Sequence, residues 1–77
     1  MSIKVRYFAS LRETIGRGED ELQASGKLTP RIIWQQLNAD LPMPEKLLVA
    51  INMEYVVLDS EVKDDDELAF FPPVTGG

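Results

Sequence analysis

The chain contains no cysteine and no histidine. Disulfides are excluded, which fits a reducing compartment. A zinc site built on Cys or His is excluded too, as is any Ser–His or Cys–His nucleophilic pair. If the protein carries a group covalently, no thiol is available to hold it. No Gly-rich phosphate-binding loop is present. No apolar run approaches the ~20 residues of a membrane-spanning helix, and Met1-Ser2-Ile3-Lys4-Val5 has no leader-peptide character. The expected location is the cytoplasm. Positive charge is also scarce, with 8 Lys and Arg against 13 Asp and Glu and a net charge of −5. Nucleic acid and anionic membrane both need a positive surface and are therefore disfavoured as partners. A protein with a basic docking face is favoured.

What is present is enough for one small domain. Hydrophobic residues make up 44% of 77 residues, and a domain of this size buries only about 60% of its unfolded surface. Ile3 to Phe8 alternates as a strand, with Ile3, Val5 and Tyr7 inward and Lys4, Arg6 and Phe8 on the other face. Ser10 to Gly16 reads as a short helix, with Ser10 and Glu13 spaced as a capping box and Leu11 and Ile15 on one side. Glu19 to Gln23 is expected as an edge strand. Thr29-Pro30 predicts a helix start, N-cap then Pro, and the helix is expected to reach about Ala39. Ile33 and Leu37 form its expected inner stripe, flanked by Ile32 and Trp34, the latter a core or rim residue. Leu47 to Ile51 and Tyr55 to Val57 read as a hairpin about Asn52-Met53-Glu54. Lys63 to Glu67 is an acidic turn without the alternating ligands and central Gly of a calcium loop. Leu68 to Phe71 is the last strand.

The final eight residues, Phe70-Phe71-Pro72-Pro73-Val74-Thr75-Gly76-Gly77, contain no charged side chain in a chain that is 27% charged. Pro72 and Pro73 cannot donate to a sheet and hold the chain extended. Six residues beyond Phe71 span at most roughly 20 Å. Without Cβ atoms Gly76 and Gly77 can pass through a narrow channel, and nothing shields the terminal carbonyl carbon. A frayed end is the plain alternative, but such ends are usually polar and charged. The composition favours a tail of about residues 72–77 that delivers a carboxylate into another protein.

This tail, with Phe8-Ala9-Ser10-Leu11-Arg12-Glu13 near the start, resembles the MoaD family of ubiquitin-like sulfur carriers, the small subunits of molybdopterin synthase. Length and element order agree along the whole chain. The resemblance implies an α+β, β-grasp fold, a mixed sheet packed on one main helix, with the first and last strands parallel neighbours. It implies Gly77 as the covalent carrier atom and Gly76 and Thr75 as the threading residues. Val74, Pro73 and Pro72 would hold the tail extended, with Phe8 and Phe71 in the docking patch. It implies an E1-like adenylyltransferase (MoeB type) that spends ATP on Gly77, a sulfur donor, and a large subunit (MoaE type) in a heterotetramer. No cofactor would be bound by this chain, and no side chain would act as acid or base. Where Asp65 stands, the family usually has Gly; Asp tolerates the left-handed conformation at small cost. A carrier for another pathway, such as thiamine synthesis, a lysine-linked modifier, and a plain docking module remain alternatives.

Overall fold

The computed structural model describes residues 2–23, 26–44 and 46–73. The expectations for Val74, Thr75, Gly76 and Gly77 lie outside these residues. Five strands form one sheet: β1 (Ile3–Tyr7), β2 (Glu19–Leu22), β3 (Leu48–Ile51), β4 (Glu54–Val56) and β5 (Glu67–Phe71). Their spatial order is β2-β1-β5-β3-β4. β1 and β5 run parallel, Val5 opposite Leu68 and Tyr7 opposite Phe70; the other neighbouring pairs are antiparallel. Two helices, α1 (Ser10–Ile15) and α2 (Pro30–Leu37), complete the elements among the described residues. This is the β-grasp arrangement, with the first and last strands paired.

Alternation determines which side is buried. Ile3, Val5 and Tyr7 of β1 and Leu68 and Phe70 of β5 are all at most 2% exposed. Pro30, Ile33 and Trp34 of α2 are buried against them, and Leu37 is half-buried. The stripe is thus Pro30-Ile33-Trp34-Leu37, at i, i+3, i+4 and i+7. Trp34 is more central than expected because its ring meets Phe70 edge-on at 5.2 Å and Tyr7 at 6.3 Å. Its indole N–H donates to the Leu41 carbonyl at 3.1 Å, so the buried ring keeps a polar partner.

Several boundaries differ from the sequence reading. Thr29 caps α2 as expected, its Oγ1 accepting from the Ile32 N–H at 3.2 Å. The helix stops at Leu37 rather than Ala39, because Asn38 leaves helical dihedrals and turns its buried amide to Tyr7 and Arg17. The Ser10–Glu13 capping box does not form. Ala9, not Ser10, precedes the helix, with φ 53° and ψ −132°, and no side chain caps it. Backbone bonds from Leu11 N–H to Phe8 O and from Arg12 N–H to Ala9 O already occupy the amides a cap would serve. Gly16 closes α1 at φ 85°. The β3–β4 turn has only two residues, Asn52 and Met53, at φ 50° and 72°. Pairing therefore resumes at Glu54 opposite Ile51, one residue earlier than expected. Asp65 is left-handed, φ 69°, a conformation Asp tolerates better than most residues. β2 lies at the sheet edge, as read.

Candidate functional site

The uncovered face of the sheet carries the site. Phe8 follows β1 directly, and its N–H donates to Phe70 O at 3.1 Å, extending the parallel pairing by one residue. This sets Phe8 beside Phe71, whose side chain points away from the core because Phe70 points into it. The two rings are parallel within 8°, with centroids 4.8 Å apart. Tyr55 of β4 leans on the other side of Phe71 at 6.0 Å and 56°. Beneath them Ala50 of β3 and Ala69 of β5 are paired across the sheet. Ala50 is only 4% exposed yet is not among the residues of the main core cluster. The larger side chains of this face shield it. The result is a depression of about 320 Å³, with Met53, Arg6 and Glu67 at its border.

The lining is mostly apolar, with one charged pair at the border. Arg6 Nε lies 3.3 Å from Glu67 Oε2, both side chains well exposed, so the pair is screened and weak. Asn52 fixes the hairpin tip: its Oδ1 accepts from the Glu67 N–H at 3.0 Å, and its Nδ2 donates to Asp66 Oδ1 at 2.9 Å. Met53, 92% exposed, and Tyr55, 72% exposed, are therefore presented on a tethered turn. A cluster of exposed aromatics and Met of this kind is the usual make-up of a protein interface. No group of three or more His, Cys, Asp or Glu able to hold a metal occurs among the described residues.

The structure joins two of the site residues expected from sequence, Phe8 and Phe71, into one stack. Pro72 and Pro73 follow immediately and are half-buried. Val74, Thr75, Gly76 and Gly77 lie beyond the described residues. Sequence reasoning missed Tyr55, Met53, Ala50 and Ala69. Alternation through Glu54-Tyr55-Val56 and Ala69-Phe70-Phe71 carries that signal, but only once the hairpin register is known.

A model of the ThiS family matches residues 5–77. The chain belongs to this family. A curated relative, the molybdopterin synthase sulfur carrier subunit of Escherichia coli, is 41% identical, covering 97% of this chain and 99% of its own. Among solved structures, small archaeal modifier protein 1 of Haloferax volcanii superposes with a TM-score of 0.78 at 25% identity, over 95% of this chain and 98% of that one. A chain in the complex of subunits 1 and 2 of the molybdopterin-converting factor from Helicobacter pylori gives 0.65 at 25% identity, covering all of both chains.

Proposed function

We propose that this protein is the sulfur-carrier small subunit of a molybdopterin synthase. The observation that carries the reading is the Phe8–Phe71 stack standing one residue ahead of Pro72. A docking platform is thereby joined to a tail that begins with Pro72-Pro73, has no charged side chain and ends in Gly76-Gly77. A partner that seats on the platform receives the start of the tail in a fixed direction. Thr75 and Gly76 then thread its channel, while Pro72, Pro73 and Val74 keep the chain extended.

A carboxylate is a poor electrophile until it has a leaving group. An E1-like adenylyltransferase joins the Gly77 carboxylate to AMP at the expense of ATP, releasing pyrophosphate. A sulfur donor displaces AMP and leaves the thiocarboxylate. The large subunit takes the tail, and sulfur passes to cyclic pyranopterin monophosphate while water restores the carboxylate. Two sulfurs build the dithiolene, so two loaded carriers are consumed in turn. The working assembly is a heterotetramer in the cytoplasm. Among the described residues no helix is long and apolar enough to cross a membrane.

Deleting Gly77 tests this reading. Sulfur transfer to the precursor should vanish with the thermal unfolding midpoint unchanged, and retained transfer would refute it. A second reading, a modifier joined to lysines, draws on the similarity to the Haloferax volcanii modifier. It requires Gly-Gly remnants on lysines of other proteins, detectable by mass spectrometry. The sulfur-carrier reading instead requires a Gly77 species in which one oxygen is replaced by sulfur.

A further inference from the structure

Next to the aromatic platform lies a second depression, of about 380 Å³, lined by Arg6, Tyr7, Phe8, Arg12, Gly18 and Glu19. Arg6 and Phe8 border both depressions, so the two adjoin at these residues. Arg12 projects from α1 toward Gly18. A methyl group on Gly18 would stand 2.9 Å from Arg12 Nε and 3.2 Å from its guanidinium carbon. Gly18 is not at positive φ, so backbone conformation does not require glycine there. What glycine provides is a flat shelf on which the guanidinium rests.

The other arginines nearby are engaged. Arg6 pairs with Glu67, Arg17 with Asp20 and Arg31 with Asp59. Arg12 forms no ion pair among the described residues, although acidic residues outnumber basic ones in the chain by 13 to 8. We infer that Arg12, held on the Gly18 shelf, is a docking cation that receives a carboxylate side chain of the large subunit, beside the seat for its apolar anchor. The inference rests on the docking function proposed above. A carboxylate fits better than a phosphate, because Glu19 lines the same depression and would repel a dianion about twice as strongly. A planar guanidinium resting flat presents its fork to a carboxylate with little entropy left to lose. On an otherwise acidic carrier, one such cation fixes the register of a mainly basic partner.

The test is calorimetric titration of the intact carrier with the large subunit, at two salt concentrations. Arg12→Gln should weaken binding about tenfold, the loss of one charge-assisted contact, and should change its salt dependence. Arg12→Lys should restore part of the affinity. Gly18→Ala should leave the unfolding midpoint unchanged, since only the end of a flexible side chain must move, yet weaken binding several-fold by displacing the guanidinium. An Asp or Glu of the large subunit whose neutralisation weakens binding to the wild-type carrier but adds no further loss in the Arg12→Gln background would identify the acceptor. Wild-type binding with undiminished affinity in both Arg12→Gln and Gly18→Ala would overturn the inference alone. No binding by the wild type would overturn the docking reading and this inference with it.

Discussion

At the residue scale, two aromatic side chains and one strained turn residue decide how the outer face works. Phe71 is half-buried on that face, not in the core, and Phe8 covers it. Phe71→Ser should therefore weaken large-subunit binding by tenfold or more while the protein still unfolds cooperatively. Loss of folding, read by circular dichroism, would instead make Phe71 a core residue. Met53 occupies a left-handed position, φ 72°, in a two-residue turn that favours glycine there. Met53→Gly should stabilise the protein by about 1 kcal/mol, a rise of several degrees in Tm. An unchanged or lower Tm would show that Met53 packing outweighs its backbone strain. Phe8 was legible in the sequence because alternation from Ile3 fixes its face. Phe71 came only through the family resemblance, because two adjacent Phe residues leave open which one faces the core, and the pairing of Tyr7 with Phe70 answers it.

The two helices begin differently despite similar sequence signals, which shows what an element's start depends on. Thr29 accepts the Ile32 N–H, and Thr29→Ala should cost about 1 kcal/mol. Ser10 caps nothing, and the turn from Phe8 to Leu11 satisfies the amides instead. Ser10→Ala should accordingly change stability by less than about 0.5 kcal/mol. Urea denaturation of both variants checks the contrast, and equal losses would contradict it. The Ser-x-x-Glu spacing identified a real helix but the wrong cap, since spacing cannot report that the preceding strand ends in a tight backbone turn. The β3–β4 hairpin was legible as an element. Its register was not, because Asn52-Met53 is an uncommon pair for a two-residue turn. Tyr55 stayed hidden as a site residue for that reason.

At the scale of the whole molecule, one polar cluster ties distant segments together behind the docking face. The Tyr7 hydroxyl donates to Asp20 at 3.0 Å and accepts from the Asn38 amide at 3.1 Å. Arg17 bonds both Asp20 and Asn38. Burial pushes the Tyr7 pKa above its ordinary value of 10.0, with Asp20 adding to the rise and Asn38 opposing it. The folded state thus holds the phenolic proton more tightly than the unfolded state. Its contribution to stability is complete below pH 10 and is lost as pH rises through the folded value. Tyr7→Phe should remove that alkaline decline, at the cost of two hydrogen bonds at neutral pH. Denaturant midpoints between pH 8 and 11 decide it, and parallel declines in both proteins would assign the effect to another group.

Phe8 and Phe71 belong to opposite ends of the chain, yet they meet because β1 and β5 are parallel neighbours. Such a platform exists only when the longest-range pairing in the sheet has formed, a late and slow event for a chain of this topology. A partner that must grip both rings before it accepts the tail is thereby testing whether the carrier is folded. A misfolded or half-made copy presents no matching surface and is passed over. Inspection of the cargo vehicle is built into the handshake.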